Sequence, residues 1–154
     1  MESNTDEQLR ISTLKEYQIL NTQTEPVYED ITGLASMICR TPISLMSFTD
    51  KDRQWFKSHR GMSLQQSSLA TSICACIAEQ REPMVIPDTT KDPRFQNMEL
   101  IKGPPFIRFY AGTPLISSEG VGIGALCVID LEPRILTSEQ TEALNALARQ
   151  TMEH

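Results

Sequence analysis

The sequence predicts an α+β domain built on an antiparallel sheet, and three observations carry that expectation. Ile107 to Ile116 and Gly122 to Asp130 are long β-prone stretches joined by a Ser118-Glu119-Gly120 turn, the pattern of a hairpin. The second stretch is apolar on both alternating sides, with Ile123, Ala125, Cys127 and Ile129 on one and Leu126 and Val128 on the other. Such a strand belongs in the middle of a sheet covered on both faces. Helical signals gather towards the two ends of the chain instead of following each strand.

Each element has its own warrant. Asp6 to Leu20 is helix-prone, with Ile11, Leu14 and Tyr17 forming an apolar stripe that Asn21-Thr22-Gln23 breaks. Pro26 suits the first turn of a second helix, where its missing N–H does no harm. Val27, Ile31, Leu34 and Ile38 follow at helical spacing and predict its buried face. Pro42 ends that helix, Ile43 to Phe48 reads as a strand, Asp50-Lys51-Asp52 as a turn, and Arg53 to Ser58 as the returning strand. Leu64 to Ala70 has no regular pattern. A helix starts near Thr71 or Ser72, with Ile73, Cys76, Ile77 and Gln80 on one side, and Met84 to Ile86 is a short strand. Asp92-Pro93, Gly103 and Pro104-Pro105 mark a long loop from Thr89 to Pro105, and loops of that length in a compact domain are commonly functional. Thr137 with Gln140 makes a capping box for a last helix whose inward stripe is Leu144, Leu147, Ala148 and Thr151. No glycine or proline closes that helix before His154, so it is expected to continue as a signalling helix.

Composition narrows the function classes. A chain of 154 residues, 40% hydrophobic and 22% charged, is expected to form one domain, 1–154, with a real core. No apolar run approaches the roughly 18–20 residues of a membrane helix, and the polar first ten residues are unlike a signal peptide. Cytoplasmic location without membrane contact is the expectation. The net charge of −6 argues against nucleic-acid binding. Four cysteines show no disulfide framework, and the two histidines are far apart, so neither a metal nor a cofactor is expected.

Several short patterns invite chemistry. Gly120-Val121-Gly122-Ile123-Gly124-Ala125 matches a dinucleotide fingerprint in form only, because it enters a strand where that fingerprint opens a helix. Arg53, Trp55, Lys57 and His59 share one face of a strand with Phe56 opposite; on an acidic chain, Trp55 is read as a core or pocket-wall residue. Cys74 and Cys76 project about 200° apart on a helix. Cys76 falls with Ile73 and Ile77 as a small core residue, while Cys74 in the first turn is placed for thiol activation by the helix dipole. Arg108 and Tyr110 face one covered side and need partners there. Asp88 or Asp92 is the expected ion-pair partner of Arg108, with a bound polar ligand as the alternative.

Blocks of residues along the chain resemble a known family. Leu14-x-x-Tyr17-x-Ile19-Leu20-Asn21-Thr22, Thr41-Pro42-Ile43-Ser44-Leu45 and Asp50-x-Asp52-Arg53-Gln54-Trp55-Phe56-Lys57-Ser58 come first. Pro87-Asp88-Thr89-x-x-Asp92-Pro93-Arg94-Phe95, Arg108-Phe109-Tyr110-Ala111-Gly112-x-Pro114-Leu115 and Leu126-Cys127-Val128-Ile129-Asp130 follow in order. Together they resemble the GAF domains found at the N-terminus of bacterial sensor histidine kinases and diguanylate cyclases, from Leu14 to Gln150. The resemblance implies a central six-stranded antiparallel sheet with helices on both faces, the terminal helices (1–22 and 137–154) on one and a small-molecule pocket on the other. Relatives carry an acidic residue near position 70, Phe at 73 and His at 76; this chain has Ala70, Ile73 and Cys76, and no adjacent Cys-His pair for a bilin pigment.

The expected function is a noncatalytic sensory domain controlling a histidine kinase or diguanylate cyclase output. It would bind an unidentified small molecule and form a homodimer through its terminal helices. Trp55, Cys74, Cys76, Asp88, Arg94, Phe95, Arg108 and Tyr110 are the candidate ligand-binding residues; no catalytic residue is expected. Two alternatives stay open, a structural dimerisation module with a filled pocket and a thiol redox sensor acting through Cys74.

Overall fold

A computed structural model of the chain describes residues 8–13, 25–49, 53–61, 66–68, 73–104 and 106–153. Its sheet is antiparallel and comprises β1 (Ile43–Thr49), β2 (Arg53–Arg60), β3 (Gln66–Ser68), β4 (Met84–Ile86), β5 (Phe109–Ile116) and β6 (Gly122–Asp130). The strands lie in the order β3-β2-β1-β6-β5-β4, so the apolar β6 is central, paired with β1 on one side and β5 on the other. The short β3 falls where the sequence predicts irregular chain; it pairs with β2 from Trp55↔Gln66 to Arg53↔Ser68.

Helix α1 (8–13) enters beside β1, where the buried Arg10 donates from Nε to the Thr49 carbonyl at 3.2 Å. The remainder of the predicted first helix, including Leu14 and Tyr17, lies outside the described residues. Helices α2 (Pro26–Cys39) and α5 (Ser138–Glu153) cover one face of the sheet. Helix α3 (Ile73–Gln80) covers the other, together with a loop that contains the one-turn helix α4 (Glu99–Lys102). Both α5 cap bonds predicted from Thr137 and Gln140 are present, at 2.9 and 3.1 Å.

The buried face of α2 is not the one its largest apolar residues predict. Tyr28, Ile31, Thr32, Ala35 and Cys39 are buried, while Leu34 and Ile38 are exposed. Tyr28, Thr32, Ala35 and Cys39 repeat the same 4-3-4 spacing one residue out of phase, a rotation of about 100°. Polar groups fix that rotation. Ser44 donates to the Thr32 carbonyl at 2.7 Å, and the Thr32 and Ser58 hydroxyls lie 2.8 Å apart. Small side chains at 32 and 35 let the helix settle close enough to make these bonds. Helix α3 departs from expectation in the same way: Ile73, Cys74, Ile77 and Ala78 are buried, whereas Cys76 is half-buried and Gln80 exposed.

Two register slips move side chains across the sheet. Met46 pairs with Ser58 and Ser47 with Phe56, so the register with β1 skips Lys57. Lys57 turns towards α2, where it meets Glu25 at 3.3 Å and sits 5.5 Å from the Tyr28 ring centre. Ser58 also reaches α2, so Lys57 and His59 no longer continue one face as simple alternation predicts. Leu115 pairs with Gly124 and Ile116 with Gly122, so Ile123 is skipped. Ile123 accordingly packs with Leu126 and Val128 beneath α2 and α5, not with Ala125, Cys127 and Ile129.

Close packing around β6 predicts a contrast between two glycines. A Cβ at Gly124 would stand 2.0 Å from the Ser47 carbonyl oxygen, so Gly124→Ala must push β1 and β6 apart. Gly120 has φ +83° but open space around it, so Gly120→Ala bears only the left-handed backbone cost, about 1–2 kcal/mol. Urea unfolding is expected to show a loss of about 3 kcal/mol or more for Gly124→Ala, clearly larger than for Gly120→Ala.

Candidate functional site

The loop that follows β4 is built from local polar chemistry. Asp88 caps the 3-10 turn Thr89–Lys91, accepting from the Thr90 N–H at 3.0 Å and the Thr90 hydroxyl at 2.6 Å. Thr89 is fully buried. Its hydroxyl donates to the Ile107 carbonyl at 2.7 Å, and its N–H to the Arg108 carbonyl at 2.9 Å, so the start of the loop is tied to its end. Asp92 accepts from the Arg94 N–H at 3.0 Å and from the guanidinium at 3.1 and 2.8 Å. The Arg94 guanidinium stacks 4.9 Å from the Phe95 ring centre. Beneath these groups Phe95, Ile101 and Ile107 pack against Ile73 and Ile77 of α3, so the loop is an ordered cover on the sheet.

At the β4 edge this cover leaves an open groove of about 540 Å³. Val85, Ile86, Pro87 and Pro93 form its apolar walls, and Asp88, Lys91, Asp92 and Arg94 supply charge. The Thr90 hydrogen bond holds the Asp88 carboxyl below its usual pKa, with smaller contributions from Lys91 and Arg108. The Arg94 hydrogen bond does the same for Asp92, and Asp92 raises Arg94 in return. The groove therefore presents both signs of charge at neutral pH. It suits a small polar molecule carrying donors and acceptors, and it is less suited to a polyanion.

The predicted site residues divide into separate places. Asp88 and Arg94 line the groove, and Phe95 lies buried under Arg94. Arg108 does not pair with Asp88 or Asp92. Its Nη1 donates to the Ile101 carbonyl at 2.9 Å and the Ile107 carbonyl at 3.1 Å, and its guanidinium lies 5.7 Å from the Phe106 ring centre. Asp92 is already engaged by Arg94, and α4 brings a carbonyl within reach of Arg108 instead. Cys76 is the half-buried cysteine, with its thiol pKa raised by burial and then by Glu79. Trp55 is half-buried on β2, with β1, β6 and β5 between it and the groove strand.

Cys74 and Tyr110 meet in the core with a residue the sequence reading treats only as packing. The Tyr110 hydroxyl contacts Cys74 Sγ and donates to Cys127 Sγ at 3.1 Å, and the two sulfurs are 3.4 Å apart. Burial pushes the Tyr110 and Cys127 pKa values well up. Strand alternation puts Tyr110 and Cys127 on the α3 face; the rotation of α3 that adds Cys74 was not legible from spacing. Lys91 and Thr89 were also missed as site residues, although both lie in the Asp88 block.

An antiparallel sheet with two helices on one face, and a helix and ordered loop on the other, is a layered α+β architecture. The GAF domain family model matches residues 6–153, and the chain belongs to that family. A cyclic di-GMP phosphodiesterase of Pseudomonas aeruginosa is 37% identical over 139 residues, 90% of this chain and 24% of that protein. The chain thus spans about a quarter of that relative's length. The GAF domain of an Acinetobacter phosphoenolpyruvate-protein phosphotransferase superposes with a TM-score of 0.68 at 13% identity, covering 99% of this chain and 93% of that one. The free methionine-R-sulfoxide reductase of Neisseria meningitidis, in complex with its substrate, gives 0.66 at 14% identity, covering 99% and 91%. These two structures share the fold. GAF domains are generally regulatory, and no described helix is long and apolar enough to cross a membrane.

Three outcomes follow from the loop chemistry. Thr89→Val removes the donor to the buried Ile107 carbonyl and is expected to cost about 1–3 kcal/mol, with faster proteolysis inside residues 92–106. A carboxyl titration by NMR should place Asp92 below its ordinary 3.8, and Arg94→Gln should move it up. Because the folded pKa values of Asp88 and Asp92 are depressed, their support for the loop is present above the unfolded value. It is lost as pH falls through the folded values, so loop protection should fade below about pH 4.

Proposed function

We propose that this GAF domain is a noncatalytic sensor that binds a small polar metabolite in the groove between β4 and the Asp88–Arg94 segment. The observation that carries this reading is a groove of ligand size, about 540 Å³, lined by charged groups already fixed by hydrogen bonds. Preformed donors and acceptors lose little entropy when a ligand arrives. The β4 wall pairs with β5, and α5 packs against the cluster that includes Phe109 and Leu115 of β5, which gives a contiguous route from the groove to the last helix. A ligand acts through that route only by binding one arrangement more tightly than another.

The regulated output is an enzyme of signalling, with cyclic di-GMP turnover the first choice because the curated relative is named for that activity. A histidine kinase is the other candidate. The domain would act as a homodimer in the cytoplasm. Leu34, Met37 and Ile38 are exposed at i, i+3 and i+4 on α2, and Ile135, at the start of the segment bonded to the α2 C-terminus, is 83% exposed. Exposed apolar side chains grouped in this way support pairing through the α2–α5 layer.

A second reading is favoured by a specific observation. The sheet face under α3 is solid, with Ile77, Cys127 and Ile129 at most 1% exposed. On that reading the domain only holds two copies in register.

Thermal-shift titrations with nucleotides, amino acids and small carboxylates separate the two. The sensory reading expects at least one compound to raise Tm, with the shift lost in Arg94→Ala and Asp88→Asn. Absence of any shift leaves the structural module. For the dimer, Met37→Glu with Ile135→Glu is expected to weaken self-association more than tenfold in sedimentation without lowering Tm; unchanged association would reject this face.

A further inference from the structure

Cys74, Tyr110 and Cys127 form a cluster that the groove does not use. The two sulfurs, 53 positions apart in the chain, stand 3.4 Å from each other between α3 and β6. The Tyr110 hydroxyl reaches both, although thiol sulfur is a weak acceptor for a buried phenol. Gly112 makes the meeting possible. A Cβ there would lie 2.9 Å from Cys127 Sγ and 2.7 Å from the Ile77 methyl Cδ1, so the missing side chain lets α3 and Cys127 share one pit in the sheet. Ordinary core filling needs small apolar side chains at these positions; it does not need two thiols facing each other with a hydroxyl between them.

We propose that Cys74 and Cys127 are a reversible dithiol–disulfide pair, oxidised by a peroxide or a small disulfide, that staples α3 to β6. With hydrogen peroxide, the Cys74 thiolate attacks one oxygen and the O–O bond breaks, giving a sulfenic acid and hydroxide. Cys127 sulfur then displaces the sulfenic oxygen. Its proton and the proton released by Cys74 leave in water, so two thiols and one peroxide become one disulfide and two waters. Cys74 is assigned as the attacking sulfur because α3 can part from the sheet without breaking strand pairing, whereas Cys127 lies mid-strand in the central β6 and resolves. Bond formation shortens the sulfur separation from 3.4 Å to about 2.05 Å, drawing the helix onto the sheet. Both sulfurs are at most 3% exposed, so the reaction waits on local opening of α3 and runs slower than oxidation of the half-buried Cys76.

Peptide mapping of the reduced native chain decides the matter. The protein is incubated with hydrogen peroxide or diamide, alkylated in denaturant and digested. The expected result is a Cys74–Cys127 linked peptide, reversed by dithiothreitol, with Tm raised by about 5–10 °C in the oxidised form. Cys76→Ser should leave the link intact, and Cys127→Ser should leave a Cys74 sulfenic acid that dimedone traps. Full alkylation of Cys74 and Cys127 after an exposure extended well past complete modification of Cys76, and long enough for the α3 amides to exchange with solvent, would overturn the proposal, as would a link between other cysteines. The wild-type map gives either answer even if a variant fails to fold.

Discussion

Burial of β6 on both faces is the constraint from which the other layers follow. Leu126 and Val128 point to one side and Ala125, Cys127 and Ile129 to the other, and each is at most 1% exposed. Neither set has access to water, so both faces of the sheet need a cover. Burying a side chain of Val, Leu or Ile size contributes about 1.5–3 kcal/mol relative to leaving it exposed. On one side that requirement is met by α2 and α5, through Ile31, Ala35, Leu144 and Ala148. On the other it is met by α3 and the loop, through Ile77, Phe95 and Ile101. The loop after β4 is therefore ordered by hydrophobic demand from the sheet, and its polar bonds decide its shape.

Glycine lets these layers come as close as they do. At Gly122 a Cβ would stand 2.1 Å from the Ala78 carbonyl oxygen, which places the backbone of α3 against the end of β6. At Gly112 the same absence admits Ile77 and Cys127 to one space. The stretch Gly120 to Ala125 matches a dinucleotide fingerprint in form only; the physical use of Gly122 and Gly124 is close approach of a helix and a neighbouring strand to a central β-strand.

What was legible in the sequence was what depends on neighbours along the chain. The β5–β6 hairpin, the Met84–Ile86 strand and the Thr137–Gln140 cap all rest on local pattern, and all are present. Helix rotation was not legible, because Leu34 and Ile38 outweigh Thr32 and Ala35 on any apolar scale while the latter pair fits the sheet and its hydroxyls. The register slips at Lys57 and Ile123 were equally hidden, since one skipped residue leaves the composition of a strand unchanged. At the groove, Asp88 and Arg94 were named through the Pro87–Phe95 block of the family resemblance, not through their turn chemistry. Arg108 was placed with the wrong partner because its actual acceptors are the backbone carbonyls of Ile101 and Ile107, which any residue could supply.

The arrangement bears on how such a domain transmits a signal. The thiol pair lies on the α3 side of the sheet and the groove at its β4 edge, and the exposed apolar side chains of α2 lie on the opposite layer. Strands β5 and β6 are common to both, since Phe109 and Leu126 pack towards α5 while Tyr110 and Cys127 pack towards α3. A close-packed sheet of this kind deforms little, so a change on one face is passed on as a small shift of whole strands, with little absorbed as local slack. Two inputs acting on the same cover, ligand at its edge and oxidation beneath its helix, would then be coupled to each other as well as to the output. Thermodynamic reciprocity requires that whatever tightens α3 for one input alters its response to the other.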